Sequence, residues 1–457
     1  MNLTIRALVV AFLLISPLYA QKKKSNYRKK KVNAATASLP IESIFPLKIS
    51  KNGRYLTDRL GRPFLLNADA GWTILHKLKI EEARAYLSAR HAQQFNTIFV
   101  QLLPPEPDQT NAYGVFPFEV KNDFSTPNER YFKYVEEIVR EAAKRQMLVA
   151  LVPAWLGCCG TNWFEVQFRN GLEKCRNYGI FLGNRFGKFP NIVWIMGGDR
   201  DPLREEAVQR AMAEGIKSVA SHQLMTFHAA SSHSSTDVFP NESWLDFSMV
   251  YSYFRGKQNV WTPNMPQVYE VALAENDKNP HKTFILGESQ YEDEDVGNDQ
   301  MVRRQAYWTL LSGGSGHCYG SSLWAFKSNW QQVLELPGAN QIRLFFKIFS
   351  HLPWYLFRPD TTSELLIEGR GTFGSDEYST VALLPNRRMA AIYLPTSRTV
   401  KVDVEKINGT NIRALWINPR TNKRWIGGYF KPKGTRELTP PMLDGDWLLL
   451  LGNVGRK

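Results

Sequence analysis

Asn191-Ile192-Val193-Trp194-Ile195-Met196-Gly197-Gly198-Asp199 is an apolar run that stops on two glycines and an acid. Phe284-Ile285-Leu286-Gly287-Glu288 has the same form. A strand with no polar alternation is buried on both faces, as strands of a parallel sheet are. Similar runs occupy residues 64–69, 97–103, 148–155, 225–229, 246–253 and 317–320. Segments of helical period lie between them, at 80–94, 128–146, 203–222, 266–276 and 300–312. Eight such alternations over roughly 290 residues predict an α/β chain folded as a (β/α)8 TIM barrel. A doubly wound open sheet is the competing architecture, but no glycine-rich phosphate loop favours it.

Beyond about residue 357 the texture changes. Short strand-like runs at 381–384, 389–394, 400–404, 412–417, 424–430 and 447–451 are punctuated by Asn408-Gly409, Gly427-Gly428 and Asp444-Gly445. That pattern predicts a small C-terminal antiparallel β-sandwich, with the boundary near Arg358-Pro359. The expected layout is therefore a barrel over 46–357 and a sandwich over 358–457.

The N-terminus reads differently again. Arg6, the apolar run 7–15 and the break Ser16-Pro17-Leu18-Tyr19-Ala20 have the order of a secretory signal peptide over residues 1–20. A basic, flexible linker is expected over 21–45. The protein is therefore expected to be exported, to a periplasmic or extracellular location. Outside the leader no apolar run approaches the ~20 residues of a spanning helix, so no integral membrane span is expected after its removal.

Composition removes several classes. Of 457 residues 43% are hydrophobic and 22% charged, an ordinary globular balance. The formal charge of +14 owes much to Arg6 and the run Lys22 to Lys31, which hold eight basic residues before the first acid, Glu42. The remaining 49 basic and 43 acidic residues do not make a nucleic-acid surface. Four cysteines exclude a disulfide scaffold, and adjacent Cys158 and Cys159 are poorly placed to bridge each other. No CxxC or HExxH spacing occurs, so neither a metal site nor a cofactor is expected. Oligomeric state is not legible.

In such barrels, catalytic side chains gather at the C-terminal strand ends. Read in order, those ends supply Asp69 with Trp72, then Gln101, Trp155, Asp199, His228, Tyr251, Glu288 and Tyr319. Aromatic faces beside carboxylates and amides suit a sugar: rings cover its C–H faces while polar groups bond its hydroxyls. Glycoside cleavage needs one carboxylic acid at the leaving oxygen and a second carboxylate opposite it. Asp199 and Glu288 are the candidates for that pair. Asp69, Trp72, Gln101, Trp155, His228, Tyr251 and Tyr319 are candidate substrate contacts. Other residues read as structural. Asp201 before Pro202 is expected to cap the following helix, Glu292 to Asp295 to form a solvated loop, and Trp163, Trp308 and Trp354 to lie in the core.

Several motifs point to one family. Gly61-Arg62-Pro63-Phe64 through Trp72, Phe95-Asn96-Thr97, the Asp199 and Glu288 strands, and Gly316-His317-Cys318-Tyr319-Gly320 resemble the apiosidase-like catalytic domain, glycoside hydrolase family 140. Cys318 stands where that pattern has threonine. The resemblance spans residues 46 to 355. Leu415 to Thr421 and Asp446-Trp447 are similar to a collagen-binding-type β domain. The resemblance implies a retaining mechanism with Glu288 as nucleophile and Asp199 as acid/base. It also implies a polysaccharide substrate, the apiose-containing side chains of pectin. Two alternatives stay open from the residues: a glycosidase for another linkage, such as an arabinofuranoside or β-pyranoside, and a non-catalytic carbohydrate-binding or adhesion protein. The presence of both carboxylates argues against the second.

Overall fold

The computed structural model describes residues 43–157, 163–254 and 266–453. The expected leader, most of the linker, and Cys158 and Cys159 lie outside the described residues. Eight parallel strands make one sheet: β1 (Leu66–Asp69), β2 (Thr97–Gln101), β3 (Leu148–Val152), β4 (Ile192–Gly197), β5 (Met225–His228), β6 (Ser248–Tyr251), β7 (Phe284–Glu288) and β8 (Gly316–Tyr319). Their order is β5-β4-β3-β2-β1-β8-β7-β6. The two ends of that order are joined through Ser235, whose hydroxyl accepts the Met249 N–H at 2.7 Å and donates to the Phe227 carbonyl at 2.6 Å. The expected TIM barrel is therefore present, all but closed by its own hydrogen bonds.

Helices surround it: α1 (Ile80–Ala92), α2 (Glu129–Lys144), α3 (Phe164–Phe186), α4 (Glu206–Val219), α5 (Val268–Asn276), α6 (Asp299–Leu311) and α7 (Pro337–Phe349). Local chemistry sets several of their starts. The Asn128 side chain accepts the Arg130 N–H ahead of α2, and Asn298 accepts from Met301 ahead of α6, each satisfying an otherwise orphaned donor. Among the described residues no helix is long and apolar enough to cross a membrane.

Period-two alternation sorts the strand residues. Leu66, Ala68, Phe99, Ala150, Val193, Met249, Ile285 and Cys318 fill the barrel interior as one apolar cluster. Val100, Leu151, Trp194, Phe227, Val250 and Leu286 face the helices in another. Trp163, Trp308 and Trp354 are buried, as expected of core residues.

The C-terminal part is antiparallel. Strands β9 (Arg358–Pro359), β11 (Thr380–Leu383), β12 (Met389–Leu394), β14 (Ile412–Ile417), β15 (Arg424–Phe430) and β17 (Trp447–Asn453) form a six-stranded sheet of order β9-β11-β12-β17-β14-β15. Strands β10 (Leu366–Glu368), β13 (Val400–Asp403) and β16 (Thr435–Leu438) form a second sheet. Leu366, Val381, Ile392, Val402, Trp416, Trp447 and Leu449 pack between the two as a sandwich core. The other face of the large sheet lies on the barrel. Tyr393 stacks on Tyr307 of α6 with centroids 4.5 Å apart, and Asp446 takes a bidentate pair from Arg303 at 2.7 and 3.0 Å.

Two loop expectations are corrected. Asp201 does not cap α4, whose N-terminal boundary residue is Glu205. It accepts the Ala230 N–H at 2.8 Å and bonds His233 instead. The acidic tract is not a solvated loop throughout, since Glu292 is buried beneath it. Glu292 accepts the Tyr319 hydroxyl at 2.6 Å and the Gly338 N–H at 2.9 Å, which replaces the water it has lost.

Candidate active site

β4 ends in three consecutive residues of positive φ: Gly197 (84°), Gly198 (129°) and Asp199 (54°). The glycines are required here. A Cβ on Gly198 would lie 2.4 Å from the Trp155 ring, and one on Gly197 2.6 Å from the His228 carbonyl oxygen. The turn they allow carries Asp199 over the mouth in a conformation that costs an ordinary side chain energy and that aspartate tolerates.

Glu288 reaches the same place by another device. Strict alternation from Ile285 would aim it at the helices. The pairing of β6 with β7 skips one residue: Val250 sits opposite Leu286, and Tyr251 opposite Glu288. Gly287 is the extra residue of this bulge, and a bulge re-aims the side chain that follows it. A Cβ on Gly287 would come within 1.9 Å of Met249, so only glycine fits.

The two acids and His228 then converge. One carboxylate oxygen of Asp199, one of Glu288 and a ring nitrogen of His228 all lie within 4.8 Å of one another. His228 Nε2 bonds Glu288 at 2.7 Å, and Nδ1 faces the Ala229 carbonyl at 3.0 Å. These two acceptors favour N–H at both nitrogens, while the Asp199 N–H also points at Nδ1 from 3.4 Å. Burial opposes a charge on the ring, but the bonded Glu288 and nearby Asp199 hold the His228 pKa above its ordinary value. Asp199 is pushed up to about 7, first by burial and then by the Glu288 charge; His228 and a Trp155 hydrogen bond pull the other way. The site thus sets a carboxyl that keeps its proton up to about pH 7 near a second carboxylate that is bonded to an imidazole. These three residues are also the group among the described residues whose donor atoms could surround a cation. The Nε2 donor is already engaged by Glu288, which favours the acid–base reading of the cluster.

Aromatic rings form the floor. Trp72 and Trp155 lie 5.1 Å apart, Trp155 and His228 5.0 Å, His228 and Tyr251 5.0 Å, and Tyr251 and Tyr253 5.4 Å, all steeply inclined. The Trp72 indole is fixed by donating to the Tyr291 hydroxyl at 2.6 Å. Gln101 shares the interior parity of Phe99, and its Oε1 is buried without a hydrogen-bond partner, as is Oδ1 of Asp199. Such orphaned acceptors are suited to sugar hydroxyls.

Seven expected residues besides the acids were candidates for this floor or its rim, and five gather there: Trp72, Gln101, Trp155, His228 and Tyr251. Asp69 and Tyr319 do not. They are paired neighbours on β1 and β8 with the parity that faces the helices. Asp69 is bound by Arg90 Nε at 3.0 Å and by the Tyr86 hydroxyl, and the Tyr319 hydroxyl goes to Glu292. Both are fully buried in that outer layer, out of reach of a substrate. Sequence reading passed over Tyr253 and Tyr291. The signal for Tyr253 was its spacing of two from Tyr251, which keeps it on the same side.

A parallel barrel with a carboxyl of raised pKa, a second carboxylate near it and an aromatic floor at its C-terminal mouth defines a glycoside hydrolase. Comparison gives the particular family. Residues 50–356 match the family described as "Apiosidase-like, catalytic domain", and the chain belongs to it. Residues 369–452 match "Putative collagen-binding domain of a collagenase". A solved structure described as a glycoside hydrolase is similar at 25% identity and TM-score 0.81, over 91% of this chain and 100% of that one. A family 5 glycoside hydrolase from Bacteroides vulgatus ATCC 8482 is similar at 25% identity and TM-score 0.80, over 89% and 93%. No curated protein matches the sequence.

Proposed function

We propose that the protein is a retaining glycosidase that removes apiose-containing side chains from pectic polysaccharide, with Glu288 as nucleophile and Asp199 as acid/base. One observation supports the stereochemical part: an oxygen of Asp199 and an oxygen of Glu288 lie within 4.8 Å of each other. Inversion needs roughly 6.5–9.5 Å, enough for a water between carboxylate and sugar, whereas retention uses ~5 Å. In the first step Glu288 attacks the anomeric carbon as the glycosidic C–O bond breaks, and Asp199 passes its proton to the departing oxygen. The resulting ester leaves burial in place but removes the negative charge that had added to it in raising the Asp199 pKa. Asp199 is then a better base, and it takes a proton from the water that hydrolyses the ester. The 2.7 Å bond from His228 Nε2 holds the Glu288 carboxylate in place for the next attack.

The substrate part rests on the family match. It is tested by incubating the protein with pectic side chains and with a panel of aryl glycosides, following products by NMR. The expected result is apiose-containing product whose first-formed anomer keeps the substrate configuration. Inverted product, or near-normal turnover by Glu288→Ala, would sink the assignment. Turnover confined to an arabinofuranoside or β-pyranoside would replace the substrate while leaving the pair intact. Export completes the proposal: the mature chain is expected to begin near Gln21, which N-terminal sequencing of the recovered protein checks.

A further inference from the structure

Residues 411–436 contain seven lysines and arginines and no aspartate or glutamate. They form the edge hairpin of the large sheet, β14 with β15, and the segment that follows it. Arg413, Lys423, Arg424, Lys431 and Lys433 are exposed and have no ion-pair partner among the described residues. Elsewhere surface cations are commonly paired, as Arg185 is with Glu129 and Lys278 with Asp237. Like charges gathered on one hairpin repel one another, a cost that an anionic partner would cancel.

The hairpin also presents apolar surface. Arg413 lies directly opposite Tyr429, Leu415 opposite Ile426, and Ile417 opposite Arg424, so these six share one face. The inner part of that face, Leu415 and Ile417, packs towards the barrel. At the outer edge Tyr429 and Ile426 are 52% and 59% exposed, with arginines at both ends of the row. A neutral sugar ring can lie on the tyrosine while carboxylates meet the flanking guanidinium groups. The seven residues of β15 extend roughly 23 Å, the length of an oligosaccharide and not of one sugar.

We infer that the β14–β15 edge hairpin is a second binding face, separate from the catalytic mouth, that holds a uronic-acid polysaccharide chain through Arg413, Arg424 and Tyr429. This inference rests on the reading of the substrate as pectic. A polymer has an uncleaved backbone for the sandwich to grip while side chains enter the barrel.

The test is native gel electrophoresis of the full chain through gels containing polygalacturonate, a neutral galactan, polyphosphate or DNA. The wild-type protein should be retarded by polygalacturonate, less so as salt rises, and not by galactan. Replacing Arg413, Arg424, Lys431 and Lys433 together by glutamine should weaken that retention roughly tenfold, from several exposed pairs at a fraction of a kcal/mol each. Turnover of a small aryl glycoside and the melting temperature should be unchanged, because none of these side chains approaches Asp199 or Glu288. Tyr429→Ala should weaken retention by polygalacturonate but not by polyphosphate. Undiminished retention of the fourfold variant, or equal retention of wild type by DNA, would overturn the inference. Retention without product from any pectic side chain would count against the substrate alone, and product without retention against the binding face alone.

Discussion

Asp199 must be protonated when the leaving oxygen departs, and both its burial and the nearby second carboxylate favour that form. Together they raise its pKa to about 7, and this makes a pH prediction. In free enzyme kcat/KM should fall as pH rises above about 7, as Asp199 loses the proton that it must donate. With an activated aryl leaving group, which needs little protonation, Asp199→Ala should keep first-step activity and lose that alkaline fall. Stability follows the same proton. An unfolded aspartate titrates near ~3.9, so between there and about 7 the folded state holds a proton that the unfolded state has released. Stability from this group is therefore complete below pH ~3.9 and declines as pH rises to 7. Asp199→Asn should accordingly melt above wild type at pH 8 and with it at pH 4, measured by calorimetry. Equal shifts at both pH values would show that the gain is not linked to this proton. At this scale the two acids were legible because glycines precede both of them. Asp69 and Tyr319 were not. A strand apolar on both faces has no polar alternation to tell inward from outward, so two helix-facing side chains read as mouth residues.

Elements position these residues through departures from ideal geometry. The bulge at Gly287 decides where Glu288 points, and its space is taken by Met249. Gly287→Ala should cost about 1–3 kcal/mol by overpacking, read by urea unfolding, and should lower turnover by shifting Glu288. Met249→Ala alone should cost about 2–5 kcal/mol as a core deletion. Because the new methyl occupies the space that the methionine leaves, the double variant should cost less than the two changes added together. Strict additivity would mean that the bulge does not depend on this packing. The barrel itself was legible because eight apolar runs alternate with helical segments. The bulge was not, since a glycine before an acid reads the same in a regular strand. Nor was the burial of Glu292, because four acids in succession carry no mark of the one that meets Tyr319 and Gly338.

For the molecule as a whole, the decisive contact is the one between α6 and the sandwich. Every residue of α6 from Met301 to Leu311 is buried, which leaves it no solvent face of the kind a barrel's outer helix ordinarily keeps. The sandwich supplies the missing cover. Tyr393 stacks on Tyr307 and donates to Asp446 at 2.8 Å, while the Trp308 indole donates to the Tyr378 carbonyl at 3.0 Å. At the centre Arg303 and Asp446 form an ion pair whose side chains are 2% and 0% exposed. Such a pair adds little over an apolar substitute, but losing one member leaves a buried charge uncompensated at a cost of about 3–5 kcal/mol. Asp446→Ala in the full chain should therefore lower stability by that amount in denaturant unfolding. Arg303→Met with Asp446→Leu should restore most of it. Removing residues 358–457 exposes the same helix at once, with Tyr307 and Trp308 on an apolar surface and Arg303 deprived of its main partner. The truncated barrel should aggregate, although it keeps Asp199, His228, Glu288 and the aromatic floor. The Asp446→Ala protein, held well below its melting temperature, should by contrast turn over a small aryl glycoside at nearly the wild-type rate, because among the described residues no sandwich side chain bonds to either acid. A soluble, cooperatively folding truncation would show that α6 can be covered without the sandwich. Loss of turnover in folded Asp446→Ala would show that the sandwich reaches the chemistry as well as the fold.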